Sequence, residues 1–347
     1  MDADLLTMMR KLAPDLTDEM ARRALILERI SVMQPVGRRQ LAQHLHLPER
    51  EIRNTAALLR DLGYVELNAS GMTVTGKAES VLEPARAFSK AMSGLTELEN
   101  RLSAALPVDR VIVAPGDADE EPTVLSDAGR LCAVRLRSML QNGNTVAITG
   151  GRSVAAVVRS YQGSTPLNVM VVPARGGLGR SVEWEANTLA EEMAGKLGGH
   201  YRLIHLPDRL DASAMQQMLK LPEISEVMEL LQRADIILHG IGKANETTRF
   251  QQLDRATKKR LTEQEVSGEC FGAFFDPQGR VLLEATGIGV DLARLKPTCS
   301  MIAVAAGSSK AKAILAVMRH GRHALLVTDE GAARRMAEIL EEERNLV

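Results

Sequence analysis

The feature of this sequence that most constrains its fold is a regular alternation of short apolar runs with helical stretches, which begins at Val111. Stretches such as 126–140 and 184–197 lie between the runs and are long enough to form helices. Strands that alternate with helices along a chain predict a mostly parallel sheet with helices on both faces, which is the α/β class. The strand-like runs read VIVAP, TVAIT, NVMVV, YRLIHL, DIILHG, MIAVAA and ALLVT.

The first 80 residues follow a different pattern, in which three or four short helical segments precede two runs of alternating apolar and polar residues. The two runs, YVELN and GMTVT, lie on either side of a Ser70-Gly71 turn, as the strands of a hairpin do. Helices followed by a hairpin in this order are typical of a winged helix-turn-helix. The helical segments cover residues 2–11, 18–33, 38–45 and 49–62.

An amphipathic helix is predicted between the two regions, because apolar residues recur there at spacings of three and four. Its apolar stripe suits a connector that packs on its own domain and equally a seam between two copies, although Pro84 and Gly94 weaken a long supercoil. The predicted domains are a winged helix-turn-helix in 1–83, a linker helix in 84–106 and an α/β domain in 107–347. The stripe consists of Val81, Ala85, Phe88, Met92, Leu95, Leu102 and Leu106, with Glu99 in the remaining position.

Composition excludes several classes of protein. The 347 residues are 45% hydrophobic and 25% charged, which is typical of a globular protein of about two domains. Cys132, Cys270 and Cys299 are far apart, so no disulfide framework, zinc ribbon or iron-sulfur site is expected, and reduced thiols suit the cytoplasm. No apolar run approaches the roughly 18 residues that span a bilayer. The formal net charge of −1 means that any basic surface must be local.

The segment GRRQLAQHLHLPEREIRNTAALLRDLGYVEL has the features of a DNA-binding helix-turn-helix. Its turn, HLP, joins two helices, since a proline ends one helix and favours the start of the next. The second helix carries Arg50, Arg53 and Asn54 near its N-terminus, where a recognition helix meets base edges; arginine can bind guanine, and asparagine can bind adenine. Arg38 and Arg39 begin the preceding helix, where phosphate contacts are expected.

The charge of this segment favours the same interpretation. Residues 36–60 contain five arginines against Glu49 and Glu51, an excess of three positive charges. Arginines and glutamates also occur on ordinary solvated helix faces, so the excess by itself does not identify DNA binding. His44 and His46 flank the turn without metal-ligand residues beside them, and no metal site is expected.

A second group of residues follows the strand TVAIT and predicts an anion site. Gly150, Gly151, Arg152 and Ser153 lead from this strand into a helix, where free backbone N–H groups and the helix dipole attract an anion. Thr149 and Ser153 add hydroxyl donors. A tight strand-to-helix turn requires glycines as well, so a structural role is the alternative. The segment matches neither a Walker A loop nor the G-x-G-x-x-G pattern.

Three further side chains are expected at the same edge of the sheet. Arg175 follows the next strand, in the segment ARGGLG, and can pair with a phosphate, although a surface salt bridge is the alternative. Lys310 falls in the first turn of a helix, where its charge opposes the helix dipole unless an anion compensates. Glu269 precedes the strand in FGAFFD and can accept hydrogen bonds from sugar hydroxyls, or can simply be solvated. Such loops meet in a crevice outside the carboxyl edge of the sheet.

These motifs together resemble those of the SorC family of bacterial transcriptional regulators, over essentially the whole chain. The resemblance implies a Rossmann-like effector domain, similar in fold to sugar-phosphate isomerases and deaminases, behind an N-terminal DNA-binding domain. It also implies a homo-oligomer, a dimer or a tetramer, that needs no cofactor. The segments that carry it are GRRQLAQHL, EREIRNTAALLRDLGYVEL and SGMTVT, and then AITGG, ARGGLG, EANTLAEEMA, ECFGAFFDPQGR and AAGSSKAKAILAVMR.

The resemblance further implies a repressor whose operator binding is modulated by a phosphorylated sugar. The motifs look most like those of members that repress glycolytic genes and respond to fructose 1,6-bisphosphate. The alternative function is an active sugar-phosphate isomerase or deaminase with Glu269 as its base, but no set of Asp, Glu and His residues accompanies the anion loops. The phosphosugar positions implied by the family fall on Thr149, Gly150, Gly151, Arg152, Ser153, Arg175, Glu185, Arg249, Glu269 and Lys310.

Two of these positions depart from the family pattern. Arg152 stands where a small hydroxyl residue is expected, and Glu185 stands where an amide is expected. Arg152 therefore either strengthens phosphate binding or blocks the pocket.

Overall fold

The computed structural model describes residues 3–45, 47–163, 166–177, 181–207, 212–284 and 287–345. The chain divides into two compact units, Met1–Glu97 and Leu98–Val347. Each unit buries an apolar core of its own.

The first unit is helical and includes a two-stranded hairpin, as the sequence predicts. Its elements are α1 (Ala3–Leu12), α2 (Pro14–Met33), α3 (Arg38–Leu45), α4 (Glu49–Asp61), β1 (Val65–Asn68), β2 (Gly71–Val74) and α5 (Glu79–Met92). Leu41 of α3 and Ile52 of α4 are fully buried and belong to one core with Ile26 and Ile30 of α2. α3 and α4 therefore form the helix-turn-helix, with α2 packed behind it.

The hairpin turns one residue earlier than predicted. β1 and β2 pair antiparallel from Val65 opposite Val74 to Asn68 opposite Gly71, so the turn consists of residues 69 and 70. Gly71 begins β2 with φ 133°, and a Cβ there would lie 2.9 Å from the backbone of Val36. The glycine therefore permits the close approach of the chain before α3 to the hairpin.

The predicted linker helix is in fact two helices. After α5, α6 (Leu95–Ala105) begins beyond a break at Gly94, which has φ 74°. α5 packs against α2, and Glu99 of α6 accepts a hydrogen bond from the N–H of Val113 at 2.6 Å. The stripe is thus used for packing within a single copy of the chain. Its fully or almost fully buried members are Phe88, Leu95, Leu102 and Leu106.

The second unit is built on a seven-stranded sheet in which every pair of neighbours is parallel, in the order β3-β13-β12-β7-β4-β5-β6. Six of the seven strands coincide with apolar runs of the sequence, whereas β6 shares only Tyr201 with the run YRLIHL, so the strand predicted over 202–206 was wrong. Consecutive residues of β3 and of β13 are all buried, so both faces of the sheet are covered. The strands of this unit are β3 (Val111–Ala114), β4 (Thr145–Ile148), β5 (Met170–Pro173), β6 (His200–Tyr201), β7 (Ile236–Gly240), β8 (Gly242–Lys243), β9 (Gly268–Cys270), β10 (Ala273–Phe275), β11 (Val281–Glu284), β12 (Ser300–Val304) and β13 (Leu325–Asp329).

Helices connect the parallel strands. One core cluster joins the sheet to α7, α8 and α9 through residues such as Leu136, Val157 and Met193. The helices of the unit after α6 are α7 (Thr123–Met139), α8 (Arg152–Ser160), α9 (Ala186–Leu197), α10 (Ala212–Met218), α11 (Pro222–Gln232), α12 (Thr248–Gln251), α13 (Arg255–Glu263), α14 (Ala311–His320) and α15 (Glu330–Asn345).

The strand order reverses between β4 and β7. From β4 the chain continues outward to β5 and β6, and then returns to β7 on the other side of β4. The loops that follow β4 and β7 therefore leave the sheet in opposite directions and open a crevice, which is the usual ligand position in such folds.

A second, four-stranded sheet, in the order β11-β10-β9-β8, is antiparallel. The sequence predicts only the FGAFFD strand of it, because its strands are too short to show a period. β9 and β10 are joined by Phe271 and Gly272, with φ 52° and 80°. Positive φ at both positions of a two-residue loop matches the twist of a hairpin.

Candidate functional site

One cavity of about 430 Å³ lies at the carboxyl ends of β4, β5 and β7, and the β9–β10 turn forms part of its wall. This volume is in the usual range for a small-molecule site. The structure brings all ten phosphosugar positions expected from the sequence to this cavity: Thr149, Gly150, Gly151, Arg152, Ser153, Arg175, Glu185, Arg249, Glu269 and Lys310.

The loop after β4 needs its two glycines for different reasons. A Cβ on Gly150 would lie 2.5 Å from the carbonyl oxygen of Trp184, so the segment before α9 leaves no room for a side chain. Gly151 has φ 113°, and its N–H donates to the same carbonyl at 2.8 Å. A Cβ on Gly151 would meet no atom of the described residues within 4 Å. Both glycines therefore have a structural role. The space beside Gly151 nevertheless remains open.

The start of α8 has the properties of an anion site. The first N–H groups of a helix have no partner within the helix, and none of the described side chains caps this one. Arg152 is exposed and Ser153 is buried, and both line the cavity. The hydroxyl of Thr149 accepts a hydrogen bond from the N–H of Gly240 at 3.2 Å, which ties the end of β4 to the end of β7.

Positive charge gathers near the same place. Burial lowers the pKa of Lys310, and the nearby charges of Arg152 and Lys243 lower it further, only partly offset by Asp119 and Asp329. Like charges held close together in a partly buried site cost free energy, which a bound anion would relieve. Three cations from three separate segments, of which Lys243 is also paired with Glu246, therefore favour an anion here.

The turn that carries Lys310 corrects one expectation from the sequence. Backbone N–H groups of this turn are already bonded to carboxylates, Ser308 to Asp117 at 3.1 Å and Ser309 to Asp119 at 2.8 Å. Asp119 thus partly compensates the charge of Lys310 within the protein. The N-terminus of this helical turn is occupied by carboxylates, so its contribution to the cavity is the Lys310 side chain.

Arg175 is an interior residue, so the surface salt bridge proposed as its alternative role is wrong. It is 5% exposed, and its guanidinium donates to the carbonyl oxygen of Phe271. A Cβ on Gly272 would lie 2.8 Å from its Cζ, and a Cβ on Gly289 would lie 2.6 Å from its Cγ. Arg175 therefore holds the β9–β10 turn in place at the cavity wall. Gly179, the last glycine of ARGGLG, lies outside the described residues.

Glu269 and Arg249 form a largely buried ion pair, with Oε1 3.1 Å from Nη1. The same carboxylate oxygen accepts the N–H of Gly272 at 2.9 Å. Arg249 lies on the short α12, whose start is capped by the hydroxyl of Thr247. Glu269 is thus engaged in structure, which is not the state expected of the base of an isomerase or deaminase.

Sequence reasoning missed several residues at or near the cavity. The loop after β7 supplies Thr247 and Thr248 to the wall and also carries Lys243, whose Nζ lies 2.6 Å from Glu246 and 3.3 Å from the hydroxyl of Ser309. These residues follow β7, beside the point where the strand order reverses. A sequence does not show where that reversal lies, so it gave no signal for them. Trp184, which was also missed, lines the cavity just before α9.

A pair of buried histidines lies next to the cavity wall. The Nε2 atoms of His239 in β7 and His323 are 3.1 Å apart, and the His239 ring lies 4.7 Å from the ring of Phe271. Burial, together with the neighbouring His323, lowers the pKa of His239 to about 3. Burial also lowers the pKa of His323. The neutral form of each ring is therefore favoured near neutral pH.

A candidate DNA-recognition surface lies on the first unit. Arg50, Arg53 and Asn54 are exposed on the first two turns of α4, and Arg38 is exposed at the start of α3. Within the described residues these four side chains make no ion pair or hydrogen bond, so they are available for a ligand. Arg39 is exposed as well, and its Nε lies 3.5 Å from Oε2 of Glu49. His46 lies outside the described residues.

Within the described part of the chain, no group of three or more His, Cys, Asp or Glu side chains is arranged to hold a metal ion. None of its helices combines the length and the apolar character needed to cross a bilayer.

Two protein families match the chain. Residues 90–338 match the sugar-binding domain family, and residues 20–88 match the CggR N-terminal DNA-binding domain. The chain is also 39% identical over 337 residues to the central glycolytic genes regulator of Priestia megaterium, an alignment that covers 96% of this chain and 98% of that protein.

Solved structures give the same relationship. A SorC family transcriptional regulator from Enterococcus faecalis is 33% identical with a TM-score of 0.64, over 70% of this chain and 99% of that one. The full-length sorbitol operon regulator SorC of Klebsiella pneumoniae is 21% identical with a TM-score of 0.64, over 92% and 98%. The second likeness concerns the fold alone, and it extends over both units. These relatives are transcriptional regulators and not enzymes.

Proposed function

The chain belongs to the SorC family of transcriptional regulators, and from that premise we propose that it represses glycolytic genes. Its affinity for operator DNA falls when it binds a phosphorylated sugar, fructose 1,6-bisphosphate. The glycolytic role is supported by the likeness to the central glycolytic genes regulator of Priestia megaterium. The site of action is the cytoplasm, where operator DNA and phosphosugars meet.

The observation that carries the proposal is the distribution of cations around the cavity at the carboxyl edge of the sheet. Arg152 and Lys243 act electrostatically on Lys310 near the start of α8. Arg249 and Arg175 line the β9–β10 side of the same wall, where Glu269 offsets one of their two charges. Two separate cationic groups in one cavity suit a ligand with two phosphates better than a ligand with one.

One phosphate binds at the start of α8, where the N–H groups of the first turn, the Ser153 hydroxyl and the charges of Arg152 and Lys310 converge. Arg152, which replaces a small residue, then contributes charge to the phosphate instead of blocking it. The exposure of the Arg152 side chain supports this choice, since an exposed side chain can move aside or fold over a ligand.

DNA binding is assigned to α3 and α4. Arg50, Arg53 and Asn54 contact base edges or nearby phosphates in the major groove, while Arg38 and Arg39 contact phosphates. Because the chain is nearly neutral overall, this basic surface is what directs it to DNA.

Control of repression then follows from linkage. The sugar must bind more tightly to the conformation that has the weaker affinity for DNA, and the oligomer, a dimer or a tetramer, must change how it presents its DNA-binding units.

The test uses the full chain and an operator obtained by selecting bound duplexes from a random DNA pool. Fluorescence anisotropy then measures operator affinity with fructose 1,6-bisphosphate, fructose 6-phosphate, glucose 6-phosphate or inorganic phosphate. We expect the bisphosphate to weaken binding most. A Lys310→Ala variant should keep its affinity for DNA without sugar and lose the response. If none of these compounds changes operator binding, the proposal is wrong.

A further inference from the structure

An apolar surface of the first unit has no partner among the described residues. Met8 is 48% exposed, Leu12 76%, Leu16 68% and Met20 49%. These are four of the six large apolar side chains that the described part of this unit exposes. A continuous group of this kind is typical of an interaction surface, whereas single exposed leucines are not. We refer to these four residues as the α1–α2 row.

Met8 and Leu12 lie one turn apart on the same side of α1, and Leu16 and Met20 lie one turn apart on the same side of α2. At the junction of α1 and α2 the N–H of Ala13 donates to Met9 at 2.9 Å and the N–H of Thr17 donates to Ala13 at 3.0 Å, while Ala13 itself has non-helical angles, φ −144° and ψ 64°, and separates the two helices. Thr17, next to Leu16, is buried, and α2 turns a different face to the core of its unit. The row therefore faces away from that core.

Charges beside the row change sign at the junction. α1 ends with Arg10 and Lys11, and α2 begins with Asp15, Asp18 and Glu19. Lys11, Asp15 and Asp18 make no ion pair or hydrogen bond through their side chains within the described residues. A second chain that runs antiparallel along the row would bring the cations of one copy to the carboxylates of the other, in both directions.

The row is also symmetric in itself. Its residues read Met, Leu, Leu, Met from either end, and Pro14 lies midway between its members. An antiparallel pair about a two-fold axis near Pro14 would therefore bring Met opposite Met and Leu opposite Leu, so that side chains of similar size meet.

We propose that the α1–α2 row is the surface through which the first units of two copies pair, antiparallel about a two-fold axis near Pro14. Met8 packs against Met20 of the second copy, and Leu12 packs against Leu16. The apolar stripe of α5 and α6, the other candidate seam, is already used inside one chain. Pairing of this kind presents two recognition helices together, as two half-sites require.

Cross-linking of the full chain tests the pairing directly. Cys299→Ser removes the one native cysteine that is not buried, and Met8→Cys and Met20→Cys variants are co-expressed in that background. A short bis-maleimide linker should join Met8→Cys to Met20→Cys far faster than either variant to itself. Val134→Cys, on the exposed face of α7 (64% exposed), measures random collision. Cross-linking no faster than this control overturns the proposal, as does equal cross-linking of each variant with itself.

A second variant separates pairing from folding. The double change Leu12→Lys and Leu16→Lys places four like charges in the paired surface. Their repulsion should slow cross-linking of the Met8 and Met20 cysteines by about tenfold or more. The melting curve of the variant should match that of a Val134→Lys control, because all three sites are exposed. Undiminished cross-linking would contradict the proposal. The test needs neither DNA nor sugar, so its outcome is independent of the proposed function.

Discussion

Gly150 and Gly151 are neighbours, yet the molecule constrains them differently. At Gly150 the limit is space, since the backbone at Trp184 lies where a Cβ would be. At Gly151 the limit is the backbone angle, φ 113°, with open space beside it. The sequence pattern GG cannot distinguish a packing glycine from a conformational one, but substitution can.

We expect Gly150→Ala to lower the free energy of unfolding by about 1–3 kcal/mol, because overpacking against a backbone carbonyl cannot be relieved by a rotamer change. It should also weaken bisphosphate binding, since the same contact holds the start of α8. Gly195→Ala in α9 is the control, because its Cβ would meet nothing within 4 Å among the described residues. That variant should be neutral or more stable by about 0.5–1 kcal/mol. Urea unfolding and calorimetry measure both quantities, and equal effects of the two changes would refute the argument.

The buried histidines predict a loss of stability in mild acid. The folded pKa of His239 is about 3, well below the unfolded value of about 6.5. Between these values the unfolded chain binds more protons, so the free energy of unfolding falls as the pH falls below about 6.5, by up to about 1.4 kcal/mol per pH unit for each such histidine. His323 adds a contribution of the same sign.

Urea unfolding at pH 7.5, 6.5 and 5.5 checks this dependence. A His239→Gln variant should show a shallower decline, because one of the two groups is gone, whatever its stability at pH 7.5. An identical slope in the variant would show that other groups are responsible.

At the scale of elements, α4 has two faces. One is apolar and buried, and the other is exposed and carries cationic and amide side chains. Ile52, Ala56 and Leu59 fix the face of α4 that is buried, and the helical period then leaves Arg50, Arg53 and Asn54 outside. The apolar positions decide the orientation of the polar ones.

We expect Arg53→Ala to weaken operator binding by about 1–3 kcal/mol if Arg53 binds a base edge through two hydrogen bonds. Arg60→Ala, at the far end of α4, is the matched control, because Arg60 already pairs with Asp61 at 2.7 Å. Anisotropy titration of the selected operator measures both affinities. Equal losses in the two variants would indicate a general charge effect instead of a specific contact.

At the scale of the whole molecule, the proposed control couples a site in the second unit to a surface of the first. Such coupling is reciprocal for binding free energies. If the bisphosphate weakens operator affinity by some factor, the operator must weaken bisphosphate affinity by the same factor.

We therefore expect calorimetric titration of the bisphosphate to give a weaker affinity when operator duplex is saturating than when it is absent. The ratio should equal the one obtained from operator titrations with and without the sugar. Bisphosphate at about 100 times its dissociation constant should also stabilise the free protein by roughly 2.7 kcal/mol. A bisphosphate affinity unaffected by operator would show that the sugar does not control DNA binding.

The sequence by itself determined the class of each unit, because apolar periodicity is a local property. Six of the seven strands of the parallel sheet and the helices of the helix-turn-helix were readable from it, and the ten expected site positions came from its motifs and from the family resemblance that those motifs carry. Of the four-stranded sheet only the FGAFFD strand was readable, since Gly242–Lys243 and Gly268–Cys270 contain no apolar run. The break at Gly94 fell inside a continuous stripe and was hidden by it.

Only the tertiary structure decided how the site residues are used. The burial of Arg175, the engagement of Glu269 by Arg249 and the occupation of the Lys310 turn by Asp117 and Asp119 all depend on contacts between distant parts of the chain. The physical reason is that charge, burial and hydrogen-bond partners are set by whichever segments the fold brings together. A sequence specifies which groups are present, and the fold decides which of them are left for a ligand.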